Sequence, residues 1–161
     1  MAAVRRAAAG ALLLGLLAGC GGEPSAPPEV QVSVGPQEVS VAPTQYCLGG
    51  EGQRYDVTPP IIEVSPDATI TLTVPESVAE RGWGVQVFDE RLEQVIGEVD
   101  VEQGATVYEG INTSDVVPPA FYLVVVEDKN AECSGFAGAW PVGFLRAGGQ
   151  QGGAPAGSTA G

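Results

Sequence analysis

Three cysteines and no histidine bound the chemistry open to this chain. Cys20 ends the stretch Leu17-Ala18-Gly19-Cys20, which has the form of a bacterial lipobox. Two small residues give a peptidase access to the backbone there, and the thiol is the acceptor for a diacylglyceryl group. The competing reading is an ordinary signal peptide with a chance cysteine. Cys47 and Cys133 remain, an even pair in a chain read as exported, and such a pair normally forms a disulfide. A redox pair is the alternative, but the chain has no C-x-x-C and neither cysteine has an activating neighbour in sequence.

The missing histidine removes a Ser-His-Asp triad and a Cys-His dyad, and weakens the usual zinc or copper sites. No P-loop and no dinucleotide-binding glycine fingerprint is present. Gly49-Gly50-Glu51-Gly52 follows Cys47 rather than opening a helix, so it reads as a loop. Paired carboxylates cleave glycosides in some hydrolases, but twenty acidic residues make such pairs inevitable by chance. Glu127, Asp128, Asn130 and Glu132 form an oxygen-rich cluster that reads as a solvated loop, with calcium binding as the alternative, since it lacks a known ligand spacing. Trp83 and Trp140 read as core residues, with stacking on cell-wall sugars as the alternative. The reading is therefore of no catalytic residue, no metal ligand set and no cofactor.

These residues must be carried by a small number of segments. Met1–Gly19 has Arg5 and Arg6, then an apolar run through Leu17, then small residues, which is the composition of a signal peptide. The run is shorter than the roughly 20 residues needed to span a bilayer. Cys20–Glu29 is rich in proline and glycine and reads as a tether. Ala147–Gly161 lacks charge and bulk and reads as a disordered tail. Val30–Arg146 has the length of one compact domain.

Within that domain the apolar period is two. Ala68, Ile70, Leu72 and Val74 alternate with threonines; Val30, Val32 and Val34 alternate with Gln31 and Ser33; Trp83, Val85 and Val87 alternate with Gly84 and Gln86. Phe121–Val126 is apolar on both faces, as a central strand would be. Further strands are expected at Glu38–Val41, Ile61–Val64, Leu92–Val99, Ala105–Tyr108 and Trp140–Leu145, and a brief helix at Glu76–Arg81. Eight or nine short strands with turn signals between them predict an all-β fold, an immunoglobulin-like antiparallel β-sandwich, with a small barrel as the alternative. Ser114–Pro119 reads as a loop at one end, where binding commonly resides.

The formal charge is −13, and losing Arg5 and Arg6 with the signal segment takes it to −15. Such a surface argues against nucleic acid and against lying flat on anionic lipid. Three stretches, VSVAPTQYC (Val39–Cys47), TVPESVAERGWGVQVFDE (Thr73–Glu90) and FYLVVVEDKNAECSGFAGAWPVGF (Phe121–Phe144), resemble a family of short actinobacterial lipoproteins known only as a domain of unknown function. The resemblance implies an exported, lipid-anchored envelope protein on the outer face of the cytoplasmic membrane, and supplies no catalytic or binding residues. Together the readings point to a non-enzymatic module that binds an envelope protein or a cell-wall component. A small-ligand or calcium-binding lipoprotein is the second possibility, and a carboxylate-based hydrolase the third.

Overall fold

The computed structural model describes residues 26–128, 131–133 and 138–148. The signal segment, Cys20, most of the tether and nearly all of the tail lie outside these residues. Eleven strands run through the described chain: β1 (Val30–Val34), β2 (Gln37–Val41), β3 (Gln45–Leu48), β4 (Glu51–Arg54), β5 (Ile61–Val64), β6 (Thr69–Thr73), β7 (Trp83–Phe88), β8 (Val95–Asp100), β9 (Val107–Asn112), β10 (Ala120–Glu127) and β11 (Ala139–Arg146). One helix, α1 (Glu76–Arg81), separates β6 from β7.

The strands form two sheets. One has the order β2-β1-β6-β9; the other has β4-β3-β11-β10-β7-β8, with β5 alongside β11. The alternating valines, leucines and isoleucines point inward from both sheets, because period-two spacing places every second side chain on one face. Val30, Val32, Ile70 and Leu72 meet Leu123, Val125, Val142 and Phe144 in one core cluster. Phe121 stacks on Phe144 with centroids 5.2 Å apart. The expected sandwich and the expected central strand are both present, since β10 lies between β11 and β7. No pairing joins β8 to β9 among the described residues, so the sheets do not close into a barrel.

One pairing is not antiparallel: β5 runs parallel to β11, Ile61–Val64 against Gly143–Arg146. On the same edge β11 pairs with β3 only at Ala139. Pro141, which has no N–H to offer, falls in the gap between these two partners, where a missing ladder donor costs least.

Several boundaries differ from those expected. Strands β3 and β4 were not expected, and they build a hairpin around Gly49–Gly52, which reads as a loop in the sequence. Gly49 and Gly50 have φ of 60° and 79° and Leu48 faces Glu51, so the two glycines make the two-residue turn of a hairpin, which needs positive φ at both positions. The strand expected from Leu92 begins at Val95 instead. The Asp89 carboxylate accepts from the amides of Glu93 (2.9 Å) and Gln94 (3.2 Å) and holds that segment as a turn. At the N-terminal side the packed domain starts before Val30, because the Pro28 carbonyl accepts from Trp140 Nε1 at 2.8 Å.

Candidate functional site

Strands β8 and β9 are each the last strand of their sheet, and they flank the open side of the sandwich. Between them lies a cleft of about 460 Å3, a size suited to a small molecule or a large side chain. Val87 and Val99 form its floor from one sheet and Ile111 from the other; Ile96, Gly97 and Gly110 form its sides; Asp115–Pro118 closes one end.

Two irregularities give the cleft its shape. In the β7–β8 ladder Val87 faces Gly97 but Phe88 faces Val95, so Ile96 has no partner and forms a bulge. In the β6–β9 ladder Ile70 faces Ile111 but Leu72 faces Tyr108, which puts a second bulge at Glu109–Gly110. Bulges at sheet edges redirect side chains and interrupt pairing. Here one leaves Ile96 43% exposed at the cleft.

The closing loop is held firmly. Thr113 is fully buried, and its hydroxyl donates to the Ser65 carbonyl (2.8 Å) while accepting from the Ala68 amide (2.9 Å). The Arg146 guanidinium donates to the carbonyls of Thr113 (2.8 Å), Val116 (2.9 Å) and Val117 (3.0 Å). Asp115 accepts from the Asn112 amide at 2.9 Å. Val116 is buried by this arrangement and Val117 is left 89% exposed. Replacing Thr113 by Val keeps the shape but removes the part-buried partner of the Ala68 amide and the Ser65 carbonyl. Thr113→Val is expected to cost about 2 kcal/mol by urea denaturation, and to lower hydrogen-exchange protection from Asn112 to Val117.

Cys20 lies outside the described residues. Cys47 and Cys133 are bonded to each other. Glu127 is 1% exposed, and its carboxylate accepts from Arg81 Nε and Nη2, both at 2.8 Å. Both oxygens are thus committed to a guanidinium that already supplies the positive charge a calcium ion would bring. Asp128 packs against Gly82, leaving no room there for a side chain on residue 82. Glu132 is exposed, and Asn130 lies outside the described residues. Among the described residues no group of three or more His, Cys, Asp or Glu is placed to hold a metal ion. Trp83 and Trp140 are buried and donate to the carbonyls of Ala105 and Pro28, so neither offers a face to a sugar.

The loop Ser114–Pro119 does sit at one end of the sandwich and contributes to the cleft. Ile96, Gly97 and Gly110 were not legible as site residues. Their only signal is a break in pattern: Val95, Ile96 and Gly97 interrupt the alternation of β8, and Gly110 puts a glycine inside β9. Among the described residues no helix is long and apolar enough to cross a membrane.

A family model described as a protein of unknown function (DUF2771) matches residues 23–142. No curated protein and no solved structure matches the chain.

Proposed function

We propose, from the premise that this chain belongs to the DUF2771 family of proteins of unknown function, that it is an actinobacterial lipoprotein acting as a non-enzymatic binding module in the cell envelope. The observation that carries the proposal is the apolar cleft between β8 and β9. It has no converging carboxylates and no nucleophile with a base beside it. Asp115 is the one charged residue lining it, and that carboxylate already holds the Asn112 amide. The cleft suits recognition of an apolar group rather than bond cleavage.

In this reading the tether also orients the module. The chain enters the sandwich at Pro28, beside Trp140 near the start of β11. The closing loop is gripped by Arg146, at the other end of the same eight-residue strand. At about 3.3 Å per residue, Trp140 and Arg146 are roughly 20 Å apart. A lipid on Cys20 therefore tethers the domain by one end and leaves the cleft near the end facing away from the membrane. Tethering raises the effective concentration toward any membrane-proximal partner, so a weak contact suffices.

Two experiments test this reading. Cys20→Ser is expected to move most of the protein from the membrane fraction to the medium, or leave it unprocessed, because the thiol is the only acyl acceptor. A processed mutant recovered in the membrane at the wild-type level overturns the anchor. Gly97→Leu is the test of the cleft. A Cβ on Gly97 meets Val87 Cγ2 at 3.5 Å, an ordinary contact, so the leucine fills the cleft without displacing backbone. A deletion strain complemented by anchored, folded Gly97→Leu is expected to keep its defect. Full complementation rejects the cleft as the binding site.

A further inference from the structure

We infer that the domain is a short-reach module, held upright with its Pro28 end toward the bilayer, and that its partner is a protein seated in the same membrane and not a wall component farther out. The inference deepens the binding-module reading and rests on it, on acylation of Cys20 above all. Reach is the first observation. The Pro28 carbonyl is fixed to Trp140 and Val30 opens β1, so little chain is left free behind Cys20. Cys20 and Pro28 are 8 residues apart, with Pro24 and Pro27 between them. At about 3.1 Å per residue that is about 25 Å at full stretch. From Trp140 to Arg146 the domain adds roughly 20 Å, so the closing loop stands no more than about 45 Å from the acylated cysteine.

Charge at the Pro28 end is the second. The ladders bring several strand ends together there: Gln31 faces Thr73 and Thr73 faces Val107 in one sheet, and Trp83 faces Glu127 and Gly84 faces Asp100 in the other. The strand ends and the links between them carry Glu29, Glu76, Glu80, Asp100, Glu102 and Asp128, all exposed. Two cations stand against them among the described residues. Arg81 is committed to Glu127, and Arg54 has Asp56 two residues on. Anionic headgroups repel such a surface once it comes within about 8 Å, the Debye length at physiological salt. The outer face of the larger sheet offers no resting place either. Ile61 and Val95 are exposed on it, but Glu63 follows on the same face of β5, Glu90 lines the same shallow hollow as Ile61, and Glu98 is exposed on β8 beside Val95. The domain therefore neither sinks onto the lipid nor lies down on it, and the tether is drawn out beneath it.

A short, extended tether selects the partner by position. Toward a site in the same membrane, effective concentration is greatest when the tether just spans the gap, and beyond that it falls roughly as the −3/2 power of tether length. Toward a site fixed beyond the reach of the tether it is near zero, and a longer tether raises it. The two kinds of partner thus respond to added length with opposite sign.

The test uses the full chain in cells, with a photo-crosslinking residue in place of Val117, which is 89% exposed at the closing loop. A flexible insert of about 20 Gly and Ser residues between Gly22 and Glu23 lengthens the Cys20–Pro28 tether from 8 to about 28 residues. The yield of Val117 adducts should fall about six- to sevenfold, and the adducts should stay with the membrane after the wall is digested. An unchanged or higher yield with the insert, release of the adducts with the wall, or no adduct from Val117 overturns the inference. The upright pose has its own readout, with the purified acylated chain in vesicles containing about 30% anionic lipid. Energy transfer to a headgroup acceptor should be clearly greater from a dye on Ser77, in α1, than from a dye on Val117; equal transfer from the two positions overturns the pose. If Cys20→Ser forms the same adducts at the same yield, the anchored-module reading itself falls. If the insert lowers the yield while Gly97→Leu leaves it unchanged, this inference stands and the cleft falls as the binding site.

Discussion

Removing the Cys47–Cys133 bridge, by the double change to Ser, is expected to lower the unfolding free energy by roughly 4–5 kcal/mol, the value the chain-entropy model gives for so long a closed loop. The bridge spans a sequence separation of 86 residues. It also has a local task. Strands β3 and β4 form a hairpin that joins its sheet through one register pair, Gln45 to Ala139, and a backbone bond of 2.8 Å from the Thr44 amide to the Ala139 carbonyl. A segment with so few ladder bonds depends on its side chains, Tyr46 packed on Trp140 and bonded to Arg81, and on the cross-link to stay joined to the rest. The loss should therefore appear in two places. Global denaturation should shift to lower urea, and hydrogen-exchange protection should fall first over Gln45–Arg54, while Leu123–Val126 keeps its protection until global unfolding. A double variant unfolding within about 1 kcal/mol of wild type would show that strain or residual denatured structure offsets the entropy.

The bridge was legible in the sequence by arithmetic alone, because reading Cys20 as the lipid acceptor leaves an even pair of cysteines in a chain read as exported. The sandwich was legible for a different reason. Buried faces require period-two patterning, and β1, β6 and β7 carry it without interruption. The hairpin β3–β4 was hidden because four residues per strand are too few to show a period, and β4 is mostly exposed. Its one clear signal was Gly49-Gly50, a two-residue primed turn. The cleft was hidden because it is made by departures from pattern. Bulges at Ile96 and Gly110 follow from how the two ladders slip, and a slip is a property of two strands, not of either sequence. The role of Glu127 was misread for a related reason. The segment that follows it in sequence, Asp128-Lys129-Asn130, is charged and polar, but its partner in space, Arg81, lies 46 residues away.

That partner gives the second large effect. Arg81→Met keeps the aliphatic stem but strands Glu127, which is 1% exposed, as an unpaired buried charge. Breaking such a pair costs about 3–5 kcal/mol, and the lower end, about 3 kcal/mol, is expected here because Arg81 itself is 36% exposed and partly hydrated. The double change Arg81→Met with Glu127→Leu should recover most of this loss, since the cost lies in the orphaned charge and not in the pair's net attraction. If the double variant is as unstable as the single one, the packing of the Arg81 stem is the source instead. The same guanidinium donates to the Tyr46 hydroxyl and lies 5.7 Å from the centroid of that ring. Tyr46 in turn meets Trp140 edge-on, with centroids 5.7 Å apart. Burial first, and the Glu127 carboxylate second, hold the Tyr46 hydroxyl above its ordinary value of 10.0. The folded state thus keeps that proton more tightly than the unfolded state. Its contribution to stability is complete below pH 10.0 and is lost as pH rises through the raised folded value. Arg81 is raised as well, chiefly by its hydrogen bond to Glu127, so its charge is constant across this window and the alkaline loss belongs to Tyr46. Urea midpoints measured upward from pH 9 should fall in wild type beginning near pH 10, and that decline should be reduced in Tyr46→Phe. An undiminished decline in Tyr46→Phe would assign the alkaline transition to another tyrosine.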